Sequence, residues 1–265
     1  ALYSMQLLTH IEKLEKFNDQ ERFNYILQQL VDMDVQFKLQ QYEGGTNIIV
    51  PAAQSSFVIV SSHFDTVRGT PGANDNASAI AVCLELLRKK KESPILIDFQ
   101  VIFFDEEEVG LRGSKAYCNE FGIKNCLGLL NMEFVGMGDR FALWPLNFKS
   151  KGTVLHSFET AAMKQGIDCF RIDKIVTNSA DHKSFLNAGL KNVFTITCIS
   201  QTDMMVAAEY IQAIKLEASK EVILEIMQKA PIFQHYHQPT DLSDKLSEAT
   251  LKMTLDTIWD CLLAV

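Results

Sequence analysis

Short clusters of histidine and acidic residues are spread over most of the chain, and their side chains can bind divalent metals or move protons. They lie in five segments: SSHFDT (61–66), GANDNAS (72–78), FFDEEEVGLRGS (103–114), NMEFVG (131–136) and HYHQPTD (235–241). Imidazoles and carboxylates suit several divalent ions. Together the segments supply enough ligands for two metal ions and one spare carboxylate, so the sequence predicts a metal-dependent hydrolase.

His63 and Asp65 are two residues apart at the end of an apolar run. In an extended backbone they project to the same side. A metal-binding imidazole usually has its second nitrogen tied to a carboxylate or a carbonyl, and Asp65 is close enough to serve. The alternative for this pair alone is a local contact at a strand end.

Asp75 lies in a Gly- and Asn-rich loop that precedes a good helix-forming stretch. A carboxylate has two oxygens and can bridge two cations. The alternative is a helix cap formed by residues 74–78. A cap needs one such residue and this stretch has several, which leaves Asp75 free to bind metal.

The acidic run of Glu106, Glu107 and Glu108 follows an apolar strand-like segment. Consecutive side chains at a strand end point in different directions. One glutamate can therefore bind a metal while its neighbour accepts a proton from the attacking water. The alternative is an acidic turn exposed to solvent.

Glu133 follows an apolar run in which an unpaired carboxylate is costly to bury. A metal ion would neutralise it, and so would an ion pair with Lys or Arg. Further along, the spacing of His235 and His237 does not choose between them as a ligand. Asp241 is placed to orient the imidazole of His237.

Three further residues are expected to contribute to substrate binding: Asp181, His182 and Tyr236. Asp181 and His182 can also be a local pair at a helix start. The loop-like segment 198–210 carries methionines and Tyr210, which suits either an apolar side-chain pocket or the protein core.

Hydrophobic periodicity predicts strands interleaved with helices, and hence a single α/β domain over residues 1–265. Helical patterns cover residues 4–30, 77–91, 114–121, 151–166, 205–229 and 244–264. Extended runs cover residues 35–42, 46–50, 57–62, 97–104, 127–134 and 192–197. We expect three layers, with a central mixed, mostly parallel sheet between helices. The candidate residues then meet at the carboxyl ends of the strands.

Composition limits the classes of partner. The chain has 265 residues, 47% of them apolar, and a formal charge of −8. The negative charge disfavours nucleic-acid binding. The sequence has no run of 18 or more apolar residues, so no membrane span is predicted. The six scattered cysteines leave pairing of Cys118 with Cys126 open, and the cellular location also stays open.

From about Asn47 to Asp241 these motifs resemble the di-zinc aminopeptidase family, which includes bacterial leucyl aminopeptidases, plasma glutamate carboxypeptidase and glutaminyl cyclases. The resemblance implies two zinc ions bridged by Asp75. It implies the remaining ligands in two sets, His63 with Glu133, and Glu108 with His237. It also implies that Asp65 supports His63 and that Glu107 is the general base, with Glu106 as an extra residue.

The implied function is an aminopeptidase that removes the first residue of a peptide or small aminoacyl substrate. Two departures stand out: Glu133 replaces the aspartate usual in the family, and Ala180 interrupts its S-D-H element. Because of Glu133, a carboxypeptidase or deacylase is an alternative. The others are a single-zinc glutaminyl-cyclase-like acyltransferase and a catalytically inactive binding module.

Overall fold

The computed structural model of the protein describes residues 6–93, 95–173 and 179–265. The strands within these residues are β1 (Lys38–Tyr42), β2 (Gly45–Val50), β3 (Phe57–His63), β4 (Gln100–Phe104), β5 (Cys126–Met132), β6 (Arg140–Trp144), β7 (Cys169–Arg171) and β8 (Val193–Ile199). The α-helices are α1 (Leu7–Leu14), α2 (Asp19–Asp32), α3 (Ser78–Glu92), α4 (Arg112–Phe121), α5 (Thr153–Lys164), α6 (His182–Asn187), α7 (Gln201–Lys215), α8 (Lys220–Gln228), α9 (Pro231–Gln234) and α10 (Glu248–Leu263). An irregular turn (Ala73–Ala77) precedes α3, and a 3-10 turn (Ser243–Lys245) precedes α10.

The strands form one mixed sheet in the order β1-β2-β4-β3-β5-β8-β6-β7. Its centre is parallel, because β3 pairs in parallel with β4 and β5, and β5 pairs in parallel with β8. The antiparallel pairs lie toward the edges. The predicted mixed, mostly parallel sheet is confirmed.

Helices cover both faces of this sheet. On β3, Val60 packs into the larger apolar cluster with helices α1, α3, α5 and α10, while Ile59 packs into a second cluster with α4 and α6. Adjacent residues of a strand point to opposite faces, so strands that are apolar throughout can fill two cores at once. This explains the continuous apolar runs of the central strands and confirms the three layers.

The carboxyl ends of three neighbouring parallel strands meet at one edge of the sheet. In the parallel register His63 lies beside Phe104, and Ser61 lies beside Asn131. The segments that follow β3, β4 and β5 therefore leave the sheet side by side. The predicted convergence of these segments is confirmed.

Two predicted helices are each divided in two. The prediction over 4–30 begins in residues outside the described ranges and then breaks between α1 and α2, where Asn18 forms a capping box with Glu21. The prediction over 205–229 breaks before α8, where Ser219 accepts a hydrogen bond from Val222 N–H. In each case a side-chain cap begins the second helix, although the apolar periodicity continues across the break.

Two other features complete the fold. All six cysteines are free thiols, including Cys118 and Cys126. Within the described ranges, no helix combines the length and the apolar character needed to cross a bilayer.

Candidate metal centre

His63 ends β3 and is fully buried. Its Nδ1 lies 3.1 Å from the backbone carbonyl oxygen of Asp65, which fixes the ring. Its Nε2 lies 3.3 Å from a carboxylate oxygen of Asp75 and 3.3 Å from one of Glu133. One nitrogen is thus held by the chain, and the other faces two carboxylates.

Asp65 joins the segments that follow β3 and β4. Its two carboxylate oxygens accept hydrogen bonds from the backbone N–H groups of Glu107 and Glu108, each at 3.0 Å. One of these oxygens also lies 3.3 Å from Nδ1 of His63. A single buried carboxylate therefore fixes the imidazole relative to both glutamates.

Asp75 lies between two imidazoles. One of its carboxylate oxygens is 3.3 Å from Nε2 of His63, and the other is 3.2 Å from Nε2 of His237. Its peptide bond to Asn76 is cis. Helix α3 begins without a side-chain cap, so the alternative of a capping role for residues 74–78 is wrong.

Asp241 has a different partner from the one expected. Its carboxylate accepts hydrogen bonds from the backbone N–H groups of Asn74 at 2.8 Å and Asp75 at 3.1 Å. The expectation that it orients His237 is therefore wrong, because both oxygens hold the loop that carries Asp75. Asp241 is close to His237 in sequence, but its carboxylate contacts Asp75, which is 166 residues away in sequence.

The three consecutive glutamates point in different directions. Glu108 Oε2 lies 3.3 Å from Nε2 of His237, and Glu107 Oε2 lies 3.9 Å from Nε2 of His63. Glu106 forms an ion pair with Arg112 at 3.0 Å. A positive φ of 55° at Glu106 turns the backbone between these directions.

Glu133 directly follows β5 and is buried. Its Oε1 accepts a long hydrogen bond from Asn131 at 3.4 Å, while Oε2 faces His63. This contact with an imidazole, rather than with Lys or Arg, accounts for the buried carboxylate among the described residues.

The structure also separates the two histidines that spacing left open. His235 lies 2.8 Å from the hydroxyl of Thr240, away from the cluster. His237 has a positive φ of 56° and turns its Nε2 toward Asp75 and Glu108. Tyr236 stacks on the ring of His237, with centroids 3.6 Å apart.

Burial makes negative charge costly in this cluster. It raises the pKa of Glu107 and Glu133 above the ordinary value, with mutual repulsion adding to the shift at Glu107. It raises the pKa of Glu108 to about 7, although His237 opposes the shift. The carboxylates therefore need positive charge close by in order to ionise together.

The imidazoles respond in the opposite sense. Burial alone lowers the pKa of His63, but Glu133 and Glu107 outweigh it and raise that pKa well above its usual value. At His237, the carboxylates of Asp75 and Glu108 likewise outweigh burial and raise the pKa to about 9. At Asp75, the close contacts with both imidazoles outweigh burial and lower the pKa. The cluster attracts positive charge.

The donor atoms fit metal ions. Three sets of three ligand atoms lie within 4.8 Å of one another: His63, Asp75 and Glu133; Asp75, Glu108 and His237; and His63, Glu107 and Glu108. The Nε2 atoms of both imidazoles are buried without a hydrogen-bond partner among the described residues. Buried polar atoms are normally paired. The first two sets share only Asp75, which suits two ions.

The other expected substrate-binding residues lie deeper. Asp181 is fully buried, and burial raises its pKa to about 8. Burial lowers the pKa of His182 to about 3, so this ring is neutral. The ring lies 2.6 Å from the hydroxyl of Thr195 and packs edge-on against Trp144.

An apolar cavity of about 100 Å³ lies behind Phe134, the residue after Glu133. Phe134 also packs edge-on against Tyr236, with ring centroids 5.5 Å apart. The cavity is lined mainly by apolar side chains of the sheet and of helices α7, α8 and α9, including Tyr210. The segment expected to be a loop is helical from Gln201 onward.

Sequence comparison places this arrangement in a known group of proteins. A profile of peptidase family M28 matches residues 47–262. The chain belongs to peptidase family M28. The match includes every segment of the metal cluster, and it leaves α1, α2 and β1 outside.

Among M28-type relatives, aminopeptidase YwaD of Bacillus subtilis is 34% identical over 139 residues, which is 50% of this chain and 30% of YwaD. The matched segment thus covers less than a third of that protein. The zinc aminopeptidase BSAP from Bacillus subtilis has a TM-score of 0.61 at 24% identity, covering 83% of this chain and 49% of BSAP. A Zn-dependent exopeptidase from Parabacteroides distasonis has a TM-score of 0.71 at 15% identity, covering 97% and 96%. These structural likenesses confirm the fold.

Proposed function

We propose that the chain is a zinc-dependent aminopeptidase with two metal ions, which removes the first residue of a peptide. One observation carries the proposal. Two sets of ligand atoms share Asp75, and a further carboxylate, that of Glu107, lies beside them. A two-metal hydrolytic site requires a bridging ligand and a proton acceptor.

The residues divide into two ligand sets in this proposal. His63 and Glu133 would hold one ion, Glu108 and His237 would hold the other, and Asp75 would contact both. Bound zinc would acidify water and stabilise negative charge on the substrate's carbonyl oxygen. Asp65 would keep His63 and the two glutamates in register through its three contacts.

Glu107 is proposed to move the proton. Its carboxylate would accept a proton from the attacking water and deliver it to the leaving amine. Burial and the neighbouring carboxylates raise its pKa, which makes it a better proton acceptor than an exposed glutamate. Glu106, the residue before Glu107, pairs with Arg112 and is turned away from the metal cluster.

The charge of the site favours a substrate's amino end over its carboxyl end. Five carboxylates lie beside the two imidazoles: Asp65, Asp75, Glu107, Glu108 and Glu133. Two divalent ions add four positive charges, so one negative charge remains. This balance attracts an α-amino group and repels a terminal carboxylate.

The apolar cavity supports a side-chain preference. Phe134 follows the ligand candidate Glu133 and lines the cavity, and Tyr236 packs against both Phe134 and His237. We propose that Tyr236 lines the substrate path and that the cavity receives an apolar first side chain. His182 would support the cavity wall through Trp144, while Asp181 would lie on the amine side.

The test is a substrate panel with zinc-loaded protein. It contains leucyl p-nitroanilide, its N-acetylated form, a peptide for carboxyl-end cleavage and a peptide with N-terminal glutamine. Loss of a charged hydrogen bond costs about 1.5–3 kcal/mol. The free amine should therefore be preferred over the acetylated form by at least about tenfold in kcat/KM.

Three results would contradict the proposal. They are preference for the blocked substrate, cleavage at the carboxyl end, and formation of pyroglutamate without hydrolysis. The last would instead favour the acyltransferase alternative.

A further inference from the structure

Arg22 of helix α2 is fully buried, although it lies outside the region matched by the family profile. Its guanidinium donates hydrogen bonds to the backbone carbonyls of Pro71 and, at 3.1 Å, Gly72. Its Nε donates to the carbonyl of Leu14 at 3.2 Å. One side chain thus ties the end of α1 to the loop that leads to Asp75.

The loop has little room to move independently of Arg22. Gly72 has a left-handed φ of 59°, and a Cβ at this position would lie 2.5 Å from the carbonyl oxygen of Asp75 and 3.2 Å from Arg22 Nη2. The backbone from residue 72 to residue 75 therefore folds tightly back on itself. If the carbonyl groups that Arg22 holds moved, Asp75 would therefore move with them.

The same N-terminal region contacts two other segments near the site. Asp19 accepts hydrogen bonds from Thr66 N–H at 3.0 Å and from its hydroxyl at 2.8 Å. Glu15 accepts one from Ser243 N–H at 2.6 Å. Thr66 follows Asp65, and Ser243 lies two residues after Asp241. Residues 15–22 thus hold three segments that meet around Asp75.

Arg22 also contributes charge. Burial lowers its pKa to about 10, opposed by Asp19, Asp241 and Asp75, so it stays positive at neutral pH. A planar guanidinium can hold several carbonyls at fixed angles, which an ammonium group cannot do. The charge and the geometry both restrain the acidic loop.

We propose that Arg22 is a positioning residue for the metal centre and that helices α1 and α2 belong to the functional unit. Arg22 holds residues 71 and 72 so that Asp75 stays between His63 and His237. The inference rests on the proposed function, because it takes Asp75 as a ligand shared by two ions.

The test measures zinc affinity without substrate, by competition with a chromophoric chelator on the full chain. Supporting partners of metal ligands typically contribute 10- to 100-fold in affinity. We expect Arg22→Met to weaken the binding of at least one zinc ion by about that factor. Arg22→Lys should give an intermediate loss of zinc affinity, of at least about threefold, because lysine keeps the positive charge but lacks the planar guanidinium.

Arg88→Met is the matched control. Arg88 is also a buried arginine, but it lies on α3 and pairs with Glu85 at 3.3 Å. Its loss should destabilise the fold while leaving zinc affinity within about threefold of wild type, well below the loss typical of a supporting partner.

Unchanged zinc affinity in Arg22→Lys would overturn the inference even if Arg22→Met does not fold. An equal loss of zinc affinity in Arg88→Met would overturn it as well, because the loss would then follow from removing any buried arginine. Wild-type protein that binds no zinc would overturn the proposed function and this inference with it.

Discussion

Replacing Glu107 with glutamine should lower kcat by about 10²- to 10⁴-fold, the contribution typical of a general base. Glutamine keeps the size of the side chain but cannot accept the proton. The two ligand sets that share Asp75 do not include Glu107. We therefore expect Glu107→Gln to bind as much zinc as wild type, and kcat and metal content should be measured on the same preparation.

Glu106→Gln is the control for this experiment. It makes the same chemical change one residue away, in a side chain that pairs with Arg112 outside the cluster. Its kcat should remain close to that of wild type. A Glu107→Gln variant with near-wild-type kcat would contradict the assigned role, and so would one that lost its zinc.

Replacing Asp75 with asparagine should remove the shared ligand and disturb both ions. An amide has one oxygen acceptor in place of two carboxylate oxygens, and it carries no charge. The two oxygens of Asp75 now face His63 at 3.3 Å and His237 at 3.2 Å. We expect the rate of hydrolysis and the zinc affinity each to fall by at least about 100-fold. This factor is the upper end of the loss that follows when a residue that only supports a metal ligand is replaced.

Asp98→Asn is the control for that substitution. Asp98 lies just before the amino end of β4, where it forms an ion pair with Lys90 at 2.9 Å. Its replacement should leave zinc content unchanged as measured by elemental analysis after dialysis. Retention of both ions in Asp75→Asn would show that Asp75 does not bridge them.

The sheet edge could be predicted because strand order limits where loops can go. His63, Glu108 and Glu133 each follow an apolar run, and parallel neighbours bring such ends together. Strands β6 and β7 and helices α6 and α9 were missed. β7 has only three residues and α6 only six, which is too short for periodicity to emerge.

The contacts that fix the site could not be read from spacing. The choice of His237 over His235 depends on a positive φ at His237, which no pattern of residue types specifies. The contact of Asp241 with the loop before Asp75 depends on how distant segments pack. For Arg22 a signal was present, because it shares a helix face with the buried residues Ile26, Gln29 and Leu30. A charged residue on such a face needs partners.

The most direct test of the two-metal site is anomalous X-ray diffraction at the zinc absorption edge from crystals of zinc-loaded protein. We expect two peaks roughly 3.5–4 Å apart. One should contact His63 and Glu133, the other Glu108 and His237, with Asp75 touching both. A single peak, or peaks located away from these side chains, would contradict the two-metal site.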